Sequence, residues 1–276
     1  MKIVLLGDFE GRFSKKLQKA VKDEEPDLVI YIGDFPSRKK TTKIEFMLWR
    51  KKIANKLDDK EFKKEFLKRA DKIMDKEFES GKKIVKALAD LNLPTLFVFG
   101  NHDIDERDGS FPLLKYAKKF KNLRYLHKKS IKIGDYTFVG HGGYRGFGSK
   151  QDLFKKVSGK EKQKIDNIKK RYRKELNKVF GKKKNVIFVT HDVPYNTKFD
   201  KIRNKESPIN GEHIGDDIYR EFALKKKPIL YACGHMQEYQ GKEKLGTTTM
   251  VLPGFGQEDK YAVIELPSKK IKFKTI

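Results

Sequence analysis

Eight residues carry metal-type donor atoms at places where short apolar runs stop. They are Asp8, Glu10, Asp34, Asn101, His102, His191, His235 and Gln237. Carboxylates, amide oxygens and imidazoles are the donors that hold divalent first-row metals. One Asp after a Gly is ordinary turn chemistry, and one His is an ordinary polar residue. Five run ends that each carry such a donor point instead to a shared metal site.

The elements that must position these donors are readable from periodicity. Apolar runs at Lys2–Leu6, 28–32, 95–99, Val186–Thr190 and 229–233 are short, rich in β-branched or aromatic residues, and closed by Gly or a polar cluster. That is the pattern of buried strands. In α/β sheets the carboxyl ends of strands are where ligands bind. Helices are expected at 14–22, at 43–90 with an interruption or bend at Gly81, at 150–180 and at 214–226. Further strands are expected at 124–140 (two or three), 247–252, 261–266 and 271–276. Trp49 and Phe46 read as helix packing. The fold class is α/β, a layered protein with a mixed sheet or a pair of sheets. No internal repeat or low-complexity linker divides it, so the expectation is a single domain, 1–276, carrying a helical insertion at 39–90 and a basic helical insertion at 148–185.

The chain has 276 residues, of which 37% are charged, and its net charge is +26. The excess is uneven. Residues 111–134 hold eight Lys or Arg and no acid, and residues 148–185 hold fifteen against four acids. Such patterning is read as a surface for a polyanion, with nucleic acid as the possible partner of both segments. The 20 Phe and 11 Tyr argue against disorder. Cys233 stands alone, which excludes an intrachain disulfide and a Cys-rich zinc site. No apolar run nears the ~18 residues of a membrane span, and the first residues read as a strand rather than a leader. No membrane association and a cytoplasmic setting are therefore expected.

The blocks Gly7-Asp8-Phe9-Glu10-Gly11, Gly33-Asp34, Gly100-Asn101-His102-Asp103, Thr190-His191 and Gly234-His235-Met236-Gln237-Glu238 resemble, in order and placement, the five blocks of the calcineurin-like metallophosphoesterases. The stretches Gly211-Glu212-His213-Ile214-Gly215, Leu245-Gly246-Thr247 and Pro253-Gly254 are similar to archaeal and bacterial members. The resemblance implies a two-sheet α/β sandwich with a two-metal site at the strand ends and a phosphate-ester substrate. By the same resemblance, Asp34 bridges two divalent ions, Asn101, His191 and His235 complete one of them, and Asp8 sits on the other. His102 would assist at the phosphate or the leaving group, and Asp103 would orient His102. Two divalent ions ~4 Å apart can clamp a phosphoryl group and activate water.

Two blocks depart from the family pattern. Asp-x-His is replaced by Asp8-Phe9-Glu10, and Gly-His-x-His by Gly234-His235-Met236-Gln237. By the resemblance, both missing histidines would belong to the same ion. One reading is a half-site rebuilt from oxygen donors for a hard ion, Mn²⁺ first and Mg²⁺ next, with Fe²⁺, Ni²⁺ or Zn²⁺ as alternatives for the pair. The other is loss of that ion, leaving a nucleic-acid- or partner-binding protein on the same scaffold. Arg12, His141, Arg145 and His213 are the candidate substrate-binding residues, since a guanidinium can grip phosphate bidentately. His127, among lysines, reads as solvent-facing.

Overall fold

The computed structural model describes residues 1–54, 56–142, 159–207 and 209–276. Two six-stranded sheets lie face to face, with helices outside each. The first sheet has the order β12-β11-β1-β2-β3-β4. It uses β1 (Lys2–Leu6), β2 (Leu28–Tyr31), β3 (Thr95–Phe97), β4 (Leu123–Tyr125), β11 (Lys260–Glu265) and β12 (Lys270–Thr275). The second has the order β5-β6-β7-β8-β10-β9. It uses β5 (Lys129–Ile133), β6 (Tyr136–His141), β7 (Val186–Thr190), β8 (Leu230–Ala232), β9 (Gly241–Leu245) and β10 (Thr248–Leu252). Strands β1 to β4 run parallel to one another, as do β6, β7, β8 and β10.

Alternation along the strands explains the layering. Ile3, Leu5, Ile30 and Leu96 of the first sheet meet Phe138, Ile187, Val189, Leu230 and Val251 of the second in a dry interlayer core. The intervening residues face outward. Val4, Leu6, Val29 and Tyr31 are covered by α1 (Lys15–Asp23), the C-terminal half of α3 (Asp59–Ala89) and α4 (Pro112–Ala117). Val139, Phe188, Tyr231 and Met250 are covered by α5 (Gly159–Phe180) and α6 (Asp217–Lys226). Strands buried on both faces read as continuous apolar runs, which is why these were visible in the sequence.

The long helical stretch is two helices, not one. α2 (Lys39–Ile53) ends, and α3 starts at an Asp58 cap whose side chain accepts from the Glu61 N–H while Glu61 returns to the Asp58 N–H. That reciprocal box satisfies two of the helix's orphan donors. α3 is ~46 Å long at ~1.5 Å per residue, so its N-terminal half overhangs the sheet. There it packs with α2 around Leu48, Phe66, Ala70, Met74 and Phe78. Trp49 stacks edge-on against Phe62 rather than pairing with Phe46. α3 runs unbroken through Gly81, whose role is proximity: a Cβ there would lie 2.6 Å from Leu113 Cδ1. β9 and α4 were not anticipated. Among the described residues, no helix is long and apolar enough to cross a membrane.

Candidate metal centre

The carboxyl ends of β1, β2, β3, β7 and β8 meet at one rim of the sandwich, and the loops leaving them carry the donors. Their backbones are held in an unusual region. Asp8, Glu10, Asp34 and His235 all have positive φ, between 43° and 69°. Non-glycine residues are rarely held there unless the surroundings enforce it, and such positions cluster at functional sites. Glycines let the loops close up. At Gly100 a Cβ would come 2.1 Å from Asp34 Oδ1 and 2.6 Å from His191 Cε1.

Asp34 is at the centre, 1% exposed. On one side, His191 Nε2 lies 3.4 Å from Asp34 Oδ2, 3.0 Å from Asn101 Oδ1 and 3.2 Å from His235 Nδ1. His191 Nδ1–H donates to the Ile32 carbonyl at 2.8 Å, so in the neutral ring Nε2 presents a lone pair to this group. On the other side stand Asp8, Glu10 and Gln237. Asp8 accepts from the His235 backbone N–H at 3.2 Å. Gln237 Nε2 donates to Glu10 Oε1. The His102 ring lies beside both halves, with Nδ1 3.2 Å from Glu10 Oε1 and 3.4 Å from Asp34 Oδ2.

Two triads here have ligand atoms mutually within 4.8 Å: Asp34, His191, His235 and Glu10, Asp34, His102. Asp192 adds a carboxylate whose two buried oxygens have no hydrogen-bond partner, with Oδ1 3.9 Å from His235 Nδ1. Ionising a buried, unpartnered carboxylate is costly, and burial pushes Asp192 well above the usual carboxylate range. Carboxylates this dense, beside facing imidazole nitrogens, fit a bound divalent cation. The ionisation pattern is that of a crowded acidic pocket. Burial, with Asp34 and Glu10 adding to it, pushes Asp8 up to about 8 against the pull of His191. Burial also pushes Asp34 up, but His102, His191 and His235 outweigh it and hold Asp34 well below the usual carboxylate range. Burial pulls His102 down, and the Asp34 and Glu10 charges more than reverse this, to about 9. Burial and the adjacent His191 drive His235 down to about 3.

The structure brings together Asp8, Glu10, Asp34, Asn101, His102, His191, His235 and Gln237. Three other expectations are corrected, those for Asp103, His141 and His127. Asp103 does not orient the His102 ring. Its Oδ2 accepts from the Asp34 and Gly100 N–H groups and its Oδ1 from that of Phe35, so it fixes the backbone of the Asp34 loop. His141 shares the outward parity of Val139 on β6, opposite to the cleft. It is fully buried, with Nε2–H directed to Glu175 at 3.2 Å and Nδ1 accepting from the Tyr219 hydroxyl at 2.7 Å. Arg12 is engaged by Asp259 and by the Gln257 carbonyl. His213 is paired with Asp200 at 2.8 Å. His127, expected in solvent, is mostly covered and accepts from the Gly142 N–H. Arg145 lies outside the described residues.

One residue had not been singled out. Arg38 follows Asp34 by four positions and is 3% exposed. Its Nε donates to Thr41 Oγ1 at 2.7 Å and faces Glu77 at 3.6 Å, yet one terminal nitrogen, Nη1, is buried with no hydrogen-bond partner among the described residues. Its charge acts on His102. The only sequence signal was an arginine in the loop after the second block.

The family model described as "Metallophosphoesterase, calcineurin superfamily" matches residues 1–276. The chain belongs to this family, and its class of activity is metal-dependent hydrolysis of phosphate esters. Among relatives, it is 29% identical over 180 residues to the uncharacterized protein MJ1162 of Methanocaldococcus jannaschii, covering 64% of this chain and 72% of that one. Among solved structures, TT1561 of Thermus thermophilus superposes with a TM-score of 0.57 at 16% identity, covering 99% of this chain and 98% of that one. The purple acid phosphatase PPD1 of yellow lupin gives 0.50 at 12% identity, covering all of this chain and 51% of that one. These two share the fold.

Proposed function

We propose that this protein hydrolyses a phosphomono- or phosphodiester of a nucleotide or nucleic acid at a centre for two unlike divalent ions. The reading is carried by the convergence of Asp34, Asn101, His191 and His235 on one point beside a second group, Asp8, Glu10 and Gln237. Asp34 would be shared. Asn101, His191 and His235 would hold the first ion, which suits a borderline metal. Asp8, Glu10 and Gln237 would hold the second, where oxygen donors suit Mn²⁺, or Mg²⁺. The ions, when bound, supply Lewis acidity toward the phosphoryl group and an activated water.

The chain's own residues do the rest. Asp103 keeps the Asp34 loop rigid through three backbone bonds. Arg38 would donate from Nη1 to a non-bridging phosphate oxygen, and its Nε is held by Thr41 and faces Glu77. His102, with its side chain 20% exposed at the rim, would give a hydrogen bond or proton to the leaving oxygen. The setting proposed is cytoplasmic, consistent with a single buried free thiol at Cys233.

Elemental analysis after Mn²⁺ loading, with hydrolysis of bis-p-nitrophenyl phosphate under the same conditions, tests this. Two ions per chain with turnover is the expected result. One ion or none without turnover would leave a binding protein on this scaffold.

A further inference from the structure

The two basic segments, 13 residues apart in sequence, meet side by side in the fold. β5, from the first, is the edge strand of the second sheet, and α5, from the second, packs across β5 and β6. Lys128 joins them through Glu175 at 2.9 Å. The lower face of α5 is apolar: Ile165, Ile168, Tyr172, Leu176 and Val179 pack on the core. One flank is neutralised by α6, through Lys169 to Asp217 at 2.7 Å and Arg173 to Glu221 at 2.8 Å. The opposite flank is not neutralised. Lys132, Arg171, Lys174, Lys178 and Lys182 are exposed and make no ion pair among the described residues.

A lysine-rich composition alone does not produce this. α3 holds ten Lys or Arg against seven acids, with intrahelical pairs such as Arg69 to Glu65. α5 holds nine against three. The basic row of α5 also lacks apolar anchors. Among the described residues the exposed large hydrophobics are Leu224, on α6, and Ile276. A membrane surface helix inserts apolar side chains, and protein interfaces are centred on buried aromatic or apolar anchors. An unneutralised row of Lys and Arg suits a chain of phosphates, whose binding is largely electrostatic. β5 lies two strands from β7, roughly 10 Å at ~4.8 Å per strand, and Lys132 is level with Thr137 and with Val186 at the start of β7, so the row begins at the end of the sheet away from His191.

We propose that the β5–α5 face is a docking track for a nucleic-acid strand, so that the substrate is a polymer rather than a free nucleotide. The proposal rests on the phosphoesterase reading for the fate of the strand, but not for its binding. The test is fluorescence anisotropy with labelled single-stranded and duplex oligonucleotides over a salt series. The variant is K174E/K178E/K182E, and the control is K64E/K68E/K72E on the exposed face of α3, which changes net charge equally. The α5 variant should bind at least tenfold more weakly, and its log–log salt slope should shrink by about 2, at ~0.7 per lost single-strand phosphate contact. The α3 variant should change less than threefold. Both should hydrolyse bis-p-nitrophenyl phosphate like wild type, which separates a failed track from a failed active site and reports correct folding. A K174Q/K178Q variant, which removes two charges without adding acids, should weaken binding in the same direction. Equal losses in the α5 and α3 variants, no oligonucleotide binding by wild type at low salt, or tighter binding to phosphatidylglycerol vesicles than to oligonucleotides would overturn the proposal.

Discussion

The two halves of the metal centre share Asp34 and differ in almost everything else. In the nitrogen-bearing half, His191 is oriented by the Ile32 carbonyl, and its free nitrogen already faces Asn101 and His235 at 3.0 and 3.2 Å. In the half formed by Asp8, Glu10 and Gln237, Gln237 donates to Glu10, and Glu10 faces His102. With His191 neutral, the first half presents lone pairs to a common point. The second satisfies itself, and an ion entering it must displace the Gln237 amide N–H from Glu10. The difference teaches that exchanging two histidines for Glu10 and Gln237 alters more than ligand softness. If Glu10 and Gln237 are ligands, their mutual hydrogen bond must break when an ion enters.

The strongest way to break this comparison is to remove what the halves share. Asp34→Asn should lower hydrolysis by about a thousandfold or more, because one carboxylate serves both ions, and metal content measured on the same sample should fall below one ion per chain. Retention of two ions would show that the halves do not depend on Asp34. Next in size, Arg38→Met should raise KM by about tenfold or more at unchanged metal content, since a charge-assisted bond to phosphate is lost. Steady-state kinetics with elemental analysis separates this from a metal effect. A smaller change sharpens the contrast between the halves. Gln237→His should raise affinity for Zn²⁺ or Ni²⁺ about tenfold by restoring a nitrogen donor, read by competition with a chromogenic chelator. Unchanged preference would place Gln237 outside the coordination sphere.

The smallest effect concerns stability away from the centre. Burial, helped by His141, pushes His127 down to about 3, whereas an unfolded imidazole titrates near ~6.5. Between those values the unfolded chain binds a proton that the folded chain does not. Stability therefore holds above about 6.5 and declines as pH falls toward 3. His127→Asn, which keeps an acceptor for the Gly142 N–H, should flatten that decline in thermal melts of metal-free protein. An identical acid limb would assign the loss to other groups.

Much of the centre was legible because its residues are adjacent to their own signals. Asp8, Asp34, Asn101 and His235 each follow a glycine at the end of an apolar run. What failed depended on partners remote in sequence. The burial of Arg38 needs Glu77 on α3, and the position of Asp103 needs the backbone of a loop 69 residues earlier. His141 was misread although the β6 alternation already set it with Val139, away from the cleft. β9, Gly-Lys-Glu-Lys-Leu, was invisible because an edge strand with charged side chains has no apolar period. Gly81 was taken for an interruption because propensity disfavours it, while helix-to-helix proximity requires it.

The most direct test of two unlike half-sites is a mixed-metal titration. Metal-free protein would be loaded with equal Zn²⁺ and Mn²⁺, dialysed and assayed for both elements, with the Mn²⁺ environment read by electron paramagnetic resonance. The account predicts one Zn²⁺ and one Mn²⁺ per chain, with the manganese spin-isolated and in oxygen coordination. Two ions of the same element, or one ion and an empty half at Asp8, Glu10 and Gln237, would contradict it.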